Sequence, residues 1–115
     1  MVVTITPALM KSRTGYTMDV TVLGYLIDDA IRYVNQEAGT NCAVLAAGTT
    51  TVSDNESTAI IPLITLLMRA YHDKGSSAIS AISMTSMTSD PQYSLHMKLV
   101  NKGIDRLRGR NFERV

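Results

Sequence analysis

The chain has 115 residues, 45% of them hydrophobic, with 11 basic and 10 acidic side chains, no Trp and one Phe. That is one domain with a modest core; it argues against global disorder, leaves little room for a large enclosed active site, and puts no strong net charge on the molecule. A single cysteine, Cys42, excludes an intrachain disulfide, and with no secretory signal pattern at the N-terminus and no uninterrupted apolar span the expectation is a reducing compartment and no membrane.

Thr6-Pro7 reads as a helix opening, a hydroxyl cap followed by a residue whose missing N–H is no loss at the first helical position. A short helix through Ala8, Leu9, Met10 and Lys11 follows, closed by a turn at Gly15. From Thr17 or Met18 to Ala38, the residues Val20, Leu23, Ile27, Ala30, Ile31, Val34 and Ala38 form one apolar face, with Gly39 as the stop. Residues 39–56 read as a connection: Cys42 to Ala47 as a helical turn or a short buried strand, broken by Gly48 and the Thr49-Thr50-Thr51 run, then Asp54-Asn55-Glu56 as a turn.

The next helix is expected to begin at Ile61-Pro62, because an earlier start near Ser53 would place Pro62 inside it at a cost of about 3 kcal/mol. It runs to Asp73, before Gly75, and is so apolar that it should be covered on several sides, with Leu66, Leu67 and Tyr71 in the core. Residues 76–89 are rich in Ser and Thr among small apolar residues and read equally as a β-hairpin or a loop. Asp90-Pro91 then opens a last helix to about Arg108. Its stripe is Tyr93, Met97, Val100, Ile104 and Leu107, and Gly109 is expected to end it. The fold class is mostly α: a small bundle of three main helices and a short N-terminal helix, with the 76–89 hairpin or loop before the last.

Charge divides unevenly along this chain. Residues 1–97 carry a net charge of minus three, and residues 98–115 a net charge of plus four from Lys98, Lys102, Arg106, Arg108, Arg110 and Arg114 against Asp105 and Glu113. Lys98, Lys102, Arg106 and Arg110 step by four, a ridge suited to phosphates but not to reading bases. Beyond Gly109, residues 109–115 read as a projecting arm or a frayed terminus. As an arm, Arg110, Phe112, Arg114 and Val115 are its partner-binding residues.

Catalytic patterns are not expected. His72 and His96 lie in different helices without metal-ligand spacing, and His72 suits a helix C-terminus. Asp28 and Asp29 diverge on a helix and read as solvated. Asp54-Asn55-Glu56 lacks the alternating ligands and central glycine of a calcium loop. The serines of 76–89 have no activating context, and Cys42 reads as a small buried or half-buried residue. Neither an enzyme nor a cofactor or metal site is therefore expected. A helix-turn-helix reader of DNA is disfavoured by the long separation of the last two helices.

The order of elements resembles the small head–tail connector (adaptor, or DNA-packaging) proteins of tailed bacteriophages and prophages. The likeness is carried by Thr6 to Arg13, by Leu26-Ile27-Asp28-Asp29-Ala30-Ile31-Arg32-Tyr33-Val34, and by the Pro-started Ile61 to His72. The Ser/Thr-rich stretch leading to Pro91 and a basic helix ending Leu107-Arg108-Gly109-Arg110 completes it. The long Asn41–Ser57 link and the last five residues depart from that pattern. The resemblance implies a structural virion component, at the virion neck and in the host cytoplasm during assembly. It would form a homo-oligomeric ring, commonly a dodecamer, between the portal protein and a tail or stopper protein. Transiting double-stranded DNA would meet it only nonspecifically. Under that reading Ile79, Ile82, Met84 and Met87 are inter-subunit residues. The remaining expectations are a small helical regulatory or adaptor protein and a nonspecific nucleic-acid binder.

Overall fold

The computed structural model describes residues 2–42, 48–74 and 94–113. In chain order these form β1 (Val2–Ile5), α1 (Pro7–Thr14), α2 (Val20–Ala38), β2 (Thr50–Ser53), α3 (Asp54–Lys74) and α4 (Ser94–Glu113). The architecture is a mostly helical bundle with a two-stranded antiparallel sheet.

Local chemistry sets the ends of the first two helices. Thr6 Oγ1 accepts from the Leu9 amide at 3.1 Å with Pro7 at the first helical position, and Gly15, at φ 75°, returns its N–H to the Lys11 carbonyl. Asp19 caps α2 through the Thr21 amide at 2.8 Å, and Gly39, at φ 71°, donates to the Asn35 carbonyl. Both glycines hold the left-handed conformation that costs them nothing. The α2 face is as expected from Leu23 to Ala38, with Leu26 added, whereas Val20, on the first turn, is exposed.

Three expectations need correction. The α3 helix begins at Asp54, eight residues before Pro62. Ser53 and Glu56 form a reciprocal capping box: the Ser53 amide donates to Glu56 Oε1 at 2.9 Å, and the Glu56 amide to Ser53 Oγ at 3.2 Å. The carbonyl that Pro62 cannot serve belongs to Thr58, an exposed residue, and the capping box offsets part of the proline penalty. Asp54-Asn55-Glu56 is thus the first turn of a helix. Secondly, the Thr run does not merely break the chain: Thr50–Ser53 pairs antiparallel with Val2–Ile5, in the register Ile5 to Thr50 and Val2 to Ser53. Ile5, Thr50 and Val52 are buried beneath this ribbon. Thirdly, Gly109 does not end the last helix, which continues to Glu113. A single glycine on an exposed helix face costs only about 1 kcal/mol, too little to terminate it.

Helix α3 is the centre. Ala59, Ile60, Leu63, Ile64, Leu66, Leu67, Met68 and Ala70 are all buried, which spans most of its circumference, while Tyr71 is half-buried. It packs on α2 on one side and most extensively on α4. Gly103 sets the α3–α4 approach: a Cβ there would lie 2.8 Å from the Ala59 Cα. The expected stripe Met97, Val100, Ile104 and Leu107 is buried against α3. Tyr93, the Asp90-Pro91 opening and the 76–89 hairpin or loop lie outside the described residues, as do residues 43–47.

Candidate functional site

Because Met97, Val100, Gly103, Ile104 and Leu107 are committed to α3, the opposite face of α4 is turned outward by the helical period. It carries Lys98, Lys102 and Arg106, all exposed, and none forms an ion pair among the described residues. Leu95 and Leu99 share that face, and they are 68% and 51% exposed. Two leucines exposed on successive turns beside three cations form an apolar strip on a charged face.

Leu99 also forms one wall of an open groove of about 410 Å³. The floor is Ile61, Pro62 and Thr65 of α3, and the far wall is Arg13, Thr14 and Tyr16 at the end of α1. Thr14 ties that wall to the bundle. Its hydroxyl donates to the Met10 carbonyl at 2.8 Å, approaches Met68 Sδ at 3.8 Å, and accepts from the Tyr16 amide. The Tyr16 ring rests against the His72 ring, with centroids 4.9 Å apart. None of the described lining residues is acidic.

Arg108 belongs to the basic segment but not to this face. Its Nε donates to the Glu37 carbonyl at 2.6 Å and its NH2 group to Glu37 Oε2 at 3.0 Å. Glu37 lies in the last turn of α2, where carbonyls lack helical partners and a cation is favoured. Tyr33 is near enough to sense both charges: burial and then Glu37 raise its pKa, and Arg108 opposes them. This α2–α4 clasp was invisible in the sequence, since its partners are 71 residues apart.

Cys42 is held in a different polar cluster. Asn35 Oδ1 accepts from Thr40 Oγ1 and the Cys42 amide, and its Nδ2 donates to the Cys42 carbonyl. The thiol donates to Glu56 Oε2 at 3.1 Å. Burial foremost, then the Glu56 hydrogen bond and charge, pushes the thiol up to about 12. A half-buried thiol kept protonated fastens the loop after α2 to the start of α3; it is no nucleophile at neutral pH.

The remaining expected residues separate clearly. Asp29 lies 3.8 Å from Arg32 on the exposed α2 face, whereas Asp28 accepts from the Gly48 amide at 3.3 Å. His72 is exposed at the end of α3. Arg110 and Phe112 fall on the last turns of α4, not on a non-helical arm, and their side chains are outside the described set together with that of His96. Arg114, Val115, Ile79, Ile82, Met84 and Met87 lie outside the described residues. Among the described residues no His, Cys, Asp and Glu group could hold a metal ion, and no helix is long and apolar enough to cross a membrane. The chain matches no protein-family model, no curated protein and no solved structure.

Proposed function

We propose that the chain is a structural adaptor, a ring-forming connector between a capsid portal and a tail or stopper protein. The observation that carries this reading is the divided last helix, whose inner face is spent on α3 while its outer face presents exposed leucines and cations that form no ion pair among the described residues. That is a surface for meeting another macromolecule. The resemblance to head–tail connectors supplies the kind of assembly, and its first three segments fall on α1, on α2 and within α3, with the basic end of the fourth on α4. In such a ring each copy would meet the next head to tail, which closes when the rotation per subunit permits. Ile79, Ile82, Met84 and Met87 remain the proposed inter-subunit residues, and Arg110, Phe112, Arg114 and Val115 the proposed contacts to the portal or tail-side protein.

Negative-stain imaging of the purified protein, alone and mixed with candidate portal rings, tests this. The expected result is added ring density beneath the portal. A protein that stays monomeric and never joins a portal would overturn it.

A second reading is favoured by the same three cations: nonspecific attachment to nucleic-acid phosphates. With three phosphate contacts, duplex affinity should fall by about 40-fold between roughly 50 and 200 mM salt. Weak binding with a flat salt dependence would remove it.

A further inference from the structure

We infer that the groove between α1, α3 and α4 receives an acidic amphipathic helix from a protein partner. This deepens the connector reading by naming the chemistry of the docking protein, and rests on that reading for treating the partner as a structural neighbour.

Three features of the groove specify that occupant. Its described lining includes apolar groups from three elements: Ile61 and Pro62 of α3, Tyr16 after α1 and Leu99 of α4. Leu95, one turn before Leu99, prolongs the apolar strip along α4. A partner helix laid along such a strip presents anchors at three- and four-residue spacing, which matches the spacing of Leu95 and Leu99. The second feature is charge. Arg13 stands at the α1 bank, and Lys98 and Lys102 flank Leu99 on the α4 bank; all three are exposed and unpaired among the described residues. With no acidic residue among the described lining residues, carboxylates on both flanks of an incoming helix would each find a cation. Such rim pairs contribute mainly to encounter rate and register, while the buried anchors hold the complex. Thirdly, the leucines discriminate between polymers. A phosphate backbone satisfies the cations but covers Leu95 and Leu99 with nothing apolar, whereas an amphipathic helix satisfies both.

The probe is a fluorescent synthetic helix of about eighteen residues, with Leu at heptad spacing and Glu on its flanks, titrated with the full-length protein and followed by anisotropy. Binding should weaken at least about tenfold for a scrambled peptide of equal composition, and equally for Leu99→Asp or Lys102→Glu, whose exposed sites leave the fold intact. Several results would overturn the inference: scrambled and ordered peptides binding alike; a duplex DNA binding more tightly than the peptide in a Leu99-independent way; and peptide binding that appears only when residues 76–89 are replaced by a short linker, which would mean the chain fills its own groove. Concentration-dependent self-association abolished by Leu99→Asp would assign the groove to a second copy and overturn it as well. Portal attachment, read by imaging in parallel, keeps the two readings apart. Attachment without peptide binding removes the groove assignment alone; peptide binding without attachment to any portal removes the connector reading and leaves the groove.

Discussion

Adding one methyl group at each of two glycines in α4 should move stability in opposite directions. At Gly109 a Cβ meets nothing within 4 Å, so Gly109→Ala gains helix propensity without a steric cost, about 0.8–1 kcal/mol of stabilisation. At Gly103 the same gain is opposed by contact with Ala59, at 2.8 Å to its Cα and 2.9 Å to its Cβ and N. Carbon atoms tolerate about 3.4 Å, so α4 must retreat by about 0.6 Å, loosening the row from Met97 to Leu107 that packs on α3. Overpacking of this kind costs about 2–3 kcal/mol, leaving Gly103→Ala destabilised by about 1–2 kcal/mol. Urea unfolding read by circular dichroism measures both, since a domain this small unfolds in one cooperative step. Ala59→Gly should not rescue Gly103→Ala, because two of the three close atoms belong to the Ala59 backbone. If Gly103→Ala were as stable as Gly109→Ala, α3 and α4 would not approach as described. If Gly109→Ala were destabilising, the helix would end at Gly109 after all.

Leu67, only 4% exposed on the central helix, should lose about 2–4 kcal/mol on substitution by Ala, checked by the same denaturation; a loss below about 0.5 kcal/mol would put the residue on the surface. The Cys42 thiol, pushed up to about 12, holds its proton in the folded state where the unfolded thiol, near 8.5, releases it. Its contribution is therefore complete below about pH 8.5 and is lost as pH rises toward 12, and at pH 8 alkylation of the native protein should be at least about tenfold slower than in urea. Arg108→Ala should cost about 0.5–1 kcal/mol, modest because both side chains of the Glu37 pair are more than one-third exposed, and should leave DNA or peptide binding unchanged in titrations that Lys102→Glu alters. Removing residues 111–115 should leave thermal unfolding nearly unchanged while weakening portal attachment; equal attachment of both forms in co-sedimentation would deny the tail a docking role.

What could be read from the sequence was what short-range chemistry decides. Thr6-Pro7 and Gly15, the α2 face with Gly39, and the Met97 to Leu107 stripe all announce themselves within a turn or two of chain. Pro62 points to a later helix start only when its penalty is taken alone. The competing signal stood in the same stretch: Ser53 and Glu56 have capping-box spacing, and the freed carbonyl falls on exposed Thr58. The β1–β2 ribbon has no such local mark, because Thr4 and Thr51 meet across 47 residues and four-residue strands carry little pattern. The candidate site shows the same division. The outward cations were legible from a spacing of four, but the groove draws on three elements, and no periodicity within one of them reveals it.

The plus-four charge of the last eighteen residues suggested one basic surface, yet the fold splits it into groups with different tasks. Arg108 is turned toward the end of α2 and lies 3.8 Å from Asp105, so its charge serves the docking of α4. Lys98, Lys102 and Arg106 cannot take part in that clasp, since the helical period turns them away from α2 and α3 together. Gly103 fixes where that division falls: by letting α4 lie close along Ala59 it buries the stripe from Met97 to Leu107, while Leu95, Lys98, Leu99, Lys102 and Arg106 are exposed. A bulkier residue there would push α4 away from α3 and loosen the contacts of that stripe. The side of α4 opposite that close contact carries Leu95, Leu99 and three cations that are unpaired among the described residues. Under the docking proposal, Leu95 and Leu99 on that outer face are the anchors a partner meets.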